Sequence, residues 1–158
     1  MPKLTALIHA HDDALRIARA VESLRACDEI LVIDHLSNDN TADIAHQHGA
    51  KIKQAVPGVN PGVYAIDAAH DWILCVLPGE AASESLEASL FEWKHDKLEE
   101  GATCFAVAVR EESDAGWRDL GPQVRLVNRK QINWPGELPP SNATCPALEG
   151  HILRFRTP

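Results

Sequence analysis

An apolar run that ends in a cluster of short polar side chains constrains the fold of this chain more than any other feature. Residues 30–33 read Ile-Leu-Val-Ile and are followed directly by the polar residues 34–41, after which a helical pattern begins. Such a run predicts a buried parallel strand that ends in a ligand-facing loop. Because ligands of open α/β sheets collect at the carboxyl ends of the strands, the polar residues are expected to border a binding crevice.

Strand and helix patterns alternate along the chain, which is typical of a parallel, doubly wound α/β sheet with helices on both faces. Strands are predicted at 3–8, 30–33, 51–54, 72–77, 103–109 and 124–127. Helices are predicted at about 13–26, 41–48 and 63–70, and another begins after Ser83 with Leu86, Leu90, Trp93 and Leu98 on one face. A compact turn through Gly116 and Gly121 is expected between the last two strands.

The length of 158 residues predicts one domain over residues 1–158. Its last part, residues 133–158, is expected to be irregular because prolines are frequent there. No apolar run approaches the roughly 18 residues of a membrane-spanning helix, and the N-terminus lacks an export segment. The sequence therefore predicts a cytoplasmic protein, with peripheral docking at the inner membrane surface as an extension of that location.

The net charge of −8 argues against a nucleic-acid partner that is held through its phosphates. The charge is uneven, since residues 101–158 contain seven Lys and Arg against six Asp and Glu, whereas residues 1–100 contain eight against seventeen. An anionic group is therefore expected to bind to the later part of the chain, although a solvated surface position is the alternative for each cation. These cations are Arg110, Arg118, Arg125, Arg129, Lys130, Arg154 and Arg156.

The four cysteines are widely spaced and form no Cys-x-x-Cys pair. Cys75 and Cys104 lie in apolar strand-like segments, where a cysteine behaves as a small hydrophobic residue. Neither a disulfide framework nor a structural zinc site is expected from Cys27, Cys75, Cys104 and Cys145.

Imidazole and carboxylate groups are concentrated where the first two predicted strands end. They are His9, His11, Asp12, Asp13, Asp34, His35 and Asp39. Because sequential strands are usually neighbours in such a sheet, these groups are expected to share one crevice. Helix capping is the structural alternative for Asp12, Asp13 and Asp39, whereas Asp34 has no evident structural role.

Two other chemistries are compatible with parts of this cluster. The His9-x-His11 pattern is one way in which metal hydrolases present two imidazoles to an ion, but His151 is the only late histidine that could complete such a site. The Asp12-Asp13 pair with Asp34 also fits a phospho-accepting signalling domain. That alternative lacks the Ser or Thr and the Lys that such a site needs on later strands.

These segments together resemble the family 2 glycosyltransferases, and are most similar to compact bacterial members that act in lipopolysaccharide-core and related surface-glycan synthesis. The resemblance covers nearly the whole chain and implies a Rossmann-like GT-A fold and a nucleotide-diphosphate sugar as donor. It rests on residues 5–8 with Asp12-Asp13, residues 21–24, residues 28–34, Ser37-x-Asp39-x-Thr41, residues 44–51, residues 71–74, and residues 124–129 with Trp134-x-Gly136.

The resemblance also implies a nucleotide-binding site. His9 and His11 fall where family members contact the nucleotide from the first strand, and Asp13 falls within the family's Asn-Glu pair. Asp34 and His35 match the residues that receive the base and the ribose. A carboxylate at the end of the second strand can accept hydrogen bonds from a base N–H or a ribose hydroxyl.

The sequence departs from the family at three catalytic positions. The Asp-x-Asp that holds Mg²⁺ or Mn²⁺ is replaced by Leu-Pro-Gly at residues 77–79, so a metal, if one binds, would be held by Glu80 with His9, His11 or His35. The basic residue and Asn that meet the diphosphate are replaced by Pro-Gly at residues 61–62. The catalytic His-Glu aligns with Pro-Pro at residues 139–140, which makes Glu137 the candidate base. Loss of the metal removes several kcal/mol of transition-state stabilisation, and loss of the base costs a further ~10²–10⁴-fold.

Two functions follow from this combination of an intact nucleotide loop and altered catalytic positions. The first is a glycosyltransferase with a modified site, acting on a glycan or lipid-linked acceptor, with a partner enzyme as one source of missing groups. The alternative is a catalytically inactive GT-A domain that binds a nucleotide, a glycan or another protein. The His-x-His metal hydrolase remains as a third hypothesis.

Overall fold

The computed structural model describes residues 1–96, 101–141 and 144–158, and an eight-stranded mixed sheet runs through it. The strands are β1 (Leu4–Ala10), β2 (Glu29–Asp34), β3 (Lys51–Gln54), β4 (Trp72–Val76), β5 (Glu80–Ala82), β6 (Cys104–Ser113), β7 (Gly116–Asn128) and β8 (Ala147–Arg154). Their order in the sheet is β3-β2-β1-β4-β7-β6-β8-β5.

The two halves of the sheet differ in strand direction. Strands β3, β2, β1 and β4 are mutually parallel, as predicted, and their carboxyl ends meet at one edge. In the second half, β7 is antiparallel to both β4 and β6, and β5 is antiparallel to β8, whereas β6 and β8 are parallel. The α/β fold class is confirmed, with the parallel pattern concentrated in the half that carries the predicted crevice.

Within the described residues, three α-helices and one 3-10 helix cover the sheet. They are α1 (Ile17–Glu22), α2 (Thr41–Gln47), α3 (Glu84–His95) and the 3-10 helix Pro61–Asp67. Helix α1 is shorter than predicted, and the Ser23 hydroxyl donates to the Ala20 carbonyl where it ends. Helix α3 begins as predicted, because the Ser83 hydroxyl accepts the Leu86 N–H. The predicted helical residue Leu98 lies outside the described residues.

Two apolar layers hold these helices to the sheet. On one face, residues of all three α-helices pack against β1, β4, β6 and β7, with Ile17, Leu24, Leu86 and Leu90 almost fully buried. On the other face, Tyr64 of the 3-10 helix and Trp134 pack against Leu7, Ile33 and Ile73. No helix among the described residues is long and apolar enough to cross a membrane.

The irregular segment predicted at residues 133–158 is wrong for its second half, because β8 lies inside the sheet between β6 and β5. Four of the five prolines of this segment lie before β8, and Leu148 and Ile152 are buried within the strand. Gly150 has a φ of +98°, and a Cβ there would lie 2.3 Å from the Leu86 nitrogen, so only glycine lets β8 approach α3 this closely.

The predicted turn through Gly116 and Gly121 is also wrong in extent. The hairpin between β6 and β7 pairs Ser113 with Gly116, and β7 then continues without a break to Asn128. Gly121 lies inside β7 opposite Val109, where the register shifts at a β-bulge.

A disulfide joins Cys104 to Cys145, contrary to the sequence-based expectation. The two Cα atoms are 5.5 Å apart although 41 residues separate them in the sequence. The bond ties the start of β6 to the segment that precedes β8. Cys27 and Cys75 remain as thiols.

Candidate functional site

A cavity of about 370 Å³ opens at the carboxyl edge of the parallel strands, between the ends of β1 and β4 and the segment after β8. Four of the predicted site residues line it together with Glu80. The lining residues are His9, His11, Asp13, Arg16, Leu77, Pro78, Gly79, Glu80, Glu111, Glu137, Arg154, Phe155 and Arg156. The structure therefore brings together groups from both ends of the sequence, which no local pattern could have revealed.

The loops after β1 and β2 are joined by side chains of short polar residues. The Ser37 hydroxyl accepts the Asp12 N–H at 3.0 Å, and an Asp12 carboxylate oxygen accepts the Asn38 N–H at 2.7 Å. The Thr41 hydroxyl accepts the Asp13 N–H at 2.8 Å. Asp12 has a φ of +52°, which is uncommon outside glycine and marks a tightly held loop. These hydrogen bonds between the two loops hold the rim of the cavity in place.

Asp34 has a structural role that the sequence did not indicate. Its buried carboxylate accepts the Ser37 hydroxyl through one oxygen and the Gln54 amide, at 2.9 Å, through the other. It thereby connects the end of β2 to its own loop and to β3. Asp34 is not among the residues that line the cavity, although its neighbour His35 contacts His9 directly.

A histidine pair links the loop after β2 to the cavity. His9 Nδ1 and His35 Nε2 are 2.8 Å apart, and both rings lie 6.3 Å from the Tyr64 ring. Burial, together with the neighbouring His35, lowers the pKa of His9 to about 4, so its imidazole is neutral at pH 7. Its Nε2 atom is buried and has no hydrogen-bond partner within the described part of the chain. An unpaired buried nitrogen in a cavity wall is suited to a ligand.

His11 lies at the exposed side of the same cavity. Its Nδ1 is 2.6 Å from the His35 carbonyl oxygen, and its Nε2 is 3.3 Å from an Asp12 carboxylate oxygen. The carbonyl of His35, followed by the charge of Asp12, raises the pKa of His11 above its ordinary value. His9 and His11 lie at the end of the same strand, but their surroundings favour the neutral form of His9 and the protonated form of His11.

Glu80 is fully buried in an ion-pair cluster with two arginines. Arg125 binds it through two parallel hydrogen bonds of 2.7 and 2.8 Å, and Arg154 donates to the same carboxylate at 3.0 and 3.1 Å. The Leu77 N–H adds a further hydrogen bond at 2.8 Å. Burial alone would raise the pKa of Glu80, but the hydrogen bonds and charge of Arg125 outweigh it and hold the pKa below its ordinary value.

This donor set does not fit a divalent cation. Both oxygens of Glu80 already accept hydrogen bonds from positively charged groups, and a metal placed there would lie next to two guanidinium groups. Among residues 1–96, 101–141 and 144–158, no three His, Cys, Asp or Glu side chains are grouped so that they could hold a metal ion. Glu80, the metal ligand suggested by the sequence, therefore acts in the structure as the centre of an ion-pair cluster.

Only two of the seven cations that the sequence offered as anion-binding residues line the cavity, Arg154 and Arg156. Arg125 is fully buried, and all five of its N–H donors are used by Glu80, Gln123 and the Cys75 carbonyl. Arg129 instead donates to carbonyls at the end of the 3-10 helix. Arg16 also lines the cavity but was not predicted. Its position just before α1 and close to Asp12-Asp13 could have indicated it.

The Pro-Gly at residues 61–62, which aligns with a diphosphate-contacting pair of the family, lies outside this cavity. A Cβ on Gly62 would lie 1.7 Å from the Trp134 carbonyl oxygen, so the position requires glycine for packing. Glu137, the predicted base, does line the cavity, where its exposed side chain makes no hydrogen bond or ion pair with any described residue.

The chain is an α/β domain with the GT-A fold, because its structure superposes on solved structures of glycosyltransferases with that fold. Curated relatives that match part of the chain are named glycosyltransferases. An uncharacterized glycosyltransferase of Rickettsia felis is 37% identical over 91 residues, which are 55% of this chain and 32% of that protein. One of Rickettsia bellii is 35% identical over 89 residues, covering 54% and 30% of the two chains. The match spans about a third of the length of these relatives.

Solved structures share the fold at low sequence identity. A mycobacterial protein superposes with a TM-score of 0.64 at 14% identity, covering 98% of this chain and 65% of that one. Mannosyl-3-phosphoglycerate synthase of Rubrobacter xylanophilus has a TM-score of 0.53 at 17% identity, covering 72% and 42%. Glucosyl-3-phosphoglycerate synthase of Mycobacterium tuberculosis, in complex with Mn²⁺, UDP-glucose and phosphoglyceric acid, gives 0.53 at 17% identity, covering 69% and 44%. No protein-family model matches the chain.

Proposed function

We propose that this chain binds a nucleotide-diphosphate sugar in the cavity at the carboxyl edge of β1 and β4 and transfers the sugar to a glycan or lipid-linked acceptor. The observation that carries the proposal is the meeting of His9, His11, Asp13 and Glu137 in one cavity of a GT-A fold. Similarity to curated glycosyltransferases supports the class of reaction. A role in bacterial surface-glycan synthesis is part of the proposal.

In this proposal, different residues of the site bind the nucleotide and transfer the proton. Asp34 and His35 hold the loop that receives the base and ribose, and the neutral His9 offers its unpaired Nε2 to the nucleotide. Glu137 takes the proton of the acceptor hydroxyl as that oxygen bonds to the sugar's anomeric carbon. The bond from that carbon to the diphosphate breaks, and the nucleoside diphosphate leaves with the bonding electrons.

An inactive binding domain is the second candidate, and the Glu80 cluster favours it. A carboxylate that is saturated by two arginines cannot take the place of the family's metal-binding aspartates. If the chain does not turn over nucleotide sugars, the same cavity serves to bind a nucleotide or glycan, alone or beside a partner enzyme that supplies the reacting groups.

Calorimetric titration with UDP-, GDP- and CDP-glucose, with and without Mn²⁺ or Mg²⁺, tests binding, and release of the nucleoside diphosphate tests turnover. We expect one base to be preferred and Glu137→Gln to lower turnover by ~10²–10⁴-fold while the nucleotide affinity stays within about twofold. Glu149→Gln, at an exposed position outside the cavity, removes the same charge as a control. Binding without turnover would support the inactive domain, and no binding of any nucleotide would contradict the proposed sugar transfer and leave only the glycan-binding form of the second candidate.

We place the protein in the cytoplasm, at or near the inner membrane surface, as part of this proposal. The Cys104–Cys145 disulfide makes a direct test worthwhile, since such bonds are rare in cytosolic proteins. Fractionation of cells that express the chain with a tag, combined with non-reducing electrophoresis, would report the location and the state of the bond together.

A further inference from the structure

We infer that arginine side chains, instead of a divalent cation, receive the diphosphate of the nucleotide sugar in this cavity, an inference that rests on the proposed function. Arg16, Arg154 and Arg156 all line the cavity. They converge on Leu-Pro-Gly at residues 77–79, which stand where the family's metal-binding aspartates would follow β4. Guanidinium groups bind phosphate oxygens in pairs, and arginine clamps stabilise transferring phosphates as Mg²⁺ does.

Arg154 contributes the excess positive charge. One carboxylate, that of Glu80, lies between Arg125 and Arg154, so the cluster carries a net charge of +1 at the cavity wall. Arg125 is completely buried, whereas the Arg154 side chain is 29% exposed. Arg154 uses Nε and Nη2 on Glu80, and its Nη1 makes no hydrogen bond within the described residues. The Glu80 carboxylate thereby orients a guanidinium group that retains donors for an anion.

Arg16 occupies space that the Leu-Pro-Gly segment leaves open. A Cβ on Gly79 would lie 2.9 Å from Arg16 Nη1, so the guanidinium group lies directly beside the loop at this position. Nη2 of Arg16 is held by the Asp13 carboxylate, which itself accepts the His11 N–H at 2.8 Å. The segment that replaces the metal-binding aspartates thus lies next to a cationic side chain.

The segment after β8 brings Arg156 to the same cavity. The Phe155 N–H donates to the Gly79 carbonyl at 2.9 Å, and the Arg19 guanidinium lies 3.8 Å from the centre of the Phe155 ring. These contacts fix the residue that lies between Arg154 and Arg156. Arg156 itself pairs with Asp114, whose side chain is 97% exposed, and such exposed pairs contribute little and exchange easily.

The acidic groups of the cavity are mostly neutralised. Asp13 is paired with Arg16, and Glu111 is paired with Arg118 at 2.7 Å. Glu137 is the exception, and its exposed position agrees with a role toward the acceptor rather than the diphosphate. The unpaired Nε2 of His9, in a residue that is only 4% exposed, adds a neutral donor or acceptor on the side of β1. The set suits an anion of two linked phosphates.

Calorimetry in the presence of EDTA tests the inference, with inorganic pyrophosphate and the nucleoside diphosphate preferred by the protein as probes. We expect both to bind without metal and uridine, guanosine or cytidine alone to bind much more weakly. Arg16→Gln, Arg154→Gln and Arg156→Gln should each weaken pyrophosphate binding by at least about tenfold. Arg25→Gln removes the same charge from an exposed residue outside the cavity and should leave the affinity unchanged.

Because Arg154→Gln also alters the buried cluster, Arg156→Gln is the decisive variant, since it disturbs only an exposed pair. Nucleotide binding that requires Mn²⁺ or Mg²⁺, or that survives Arg16→Gln and Arg156→Gln unchanged, would overturn the inference and leave the proposed function standing. A chain that binds no nucleotide under any condition would overturn both. Affinity that falls steeply with added salt and does not change with EDTA would support the inference.

Discussion

At the scale of single residues, the buried Glu80–Arg125 pair shows how a position can keep its amino acid type while its role changes. The resemblance to the glycosyltransferase family implied an acidic residue at this place and suggested a metal ligand. The structure shows a carboxylate that accepts hydrogen bonds from Arg125, Arg154 and the Leu77 N–H. The difference could not be read from residue 80, because both arginines lie more than 40 positions away in the sequence.

Removal of the Glu80 charge is expected to destabilise the fold strongly. In Glu80→Gln, Arg125 keeps a buried positive charge without its partner, which costs about 3–5 kcal/mol of unfolding free energy. Urea denaturation of the variant, beside the exposed Glu149→Gln control, measures the difference. A loss below about 1 kcal/mol would mean that the cluster is hydrated and contributes little.

The Glu80–Arg125 pair also contributes to the loss of folding stability at low pH. Because folding lowers the pKa of Glu80 from 4.5, its contribution to stability is present above pH 4.5 and is lost as the pH falls through the folded-state pKa. Unfolding free energies measured between pH 7 and pH 3 should decline for the wild-type chain. Glu80→Gln should decline less over that range, and parallel curves would contradict the assignment.

His9 predicts a second pH dependence at a higher range. Its pKa falls from 6.5 in the unfolded chain to about 4 in the fold, so the unfolded state binds the extra proton between these values. Stability is therefore complete above pH 6.5 and decreases as the pH falls toward 4, by about 3 kcal/mol for this residue. His9→Gln should flatten the stability profile in that range, whereas His46→Gln, at an exposed position on α2, should not.

At the scale of elements, the sequence predicted strands and helices best where a single local pattern was present without conflicting signals. The limits of β3 are those predicted. Strand β2 extends the predicted 30–33 strand by one residue at each end, since its run of apolar, mostly β-branched residues favours a buried strand. Helix α2 and the Ser83 cap of α3 follow from local signals. Strand β8 was missed because nearby prolines suggested a loop, while its pairing partners β6 and β5 lie far away in sequence.

The packing of the 3-10 helix in the second apolar layer can be tested by a substitution. In Gly62→Ala, the new Cβ would meet the Trp134 carbonyl oxygen at 1.7 Å, so the helix or the Trp134 segment must shift. We expect a loss of about 1–3 kcal/mol of unfolding free energy. Gly136→Ala is the control, since its Cβ would have its nearest neighbour at 3.9 Å and its φ is not positive. Equal melting temperatures for the two variants would contradict this packing.

At the scale of the whole molecule, the disulfide joins the hairpin half of the sheet to the segment that carries Glu137. Because it closes a loop of about 40 residues, Cys145→Ser should lower the unfolding free energy by about 2–4 kcal/mol. A reducing agent should have the same effect on the wild-type chain. Cys27→Ala serves as a control for loss of a thiol. Four titratable thiols in the purified, unfolded protein would contradict the bond.

The sequence therefore indicated the edge of the sheet at which ligands bind but not the composition of the cavity there. His9, His11 and Asp13 were found because they lie at the end of β1, and Glu137 because it lies close to the position that the family resemblance implies for the catalytic base. Arg154 and Phe155 join them only when β8 enters the sheet, a long-range event that no local pattern encodes.

The position of β8 inside the sheet also has a consequence for the order of folding. Arg154 meets Glu80 across 74 residues of sequence, and the Arg19–Thr157 contact spans 138. Contacts of such long separation form slowly, because the chain must lose the entropy of a large loop before they give any stabilisation. A refolding chain should therefore regain its circular dichroism signal first and its affinity for pyrophosphate last, so that anion binding reports the final step of assembly.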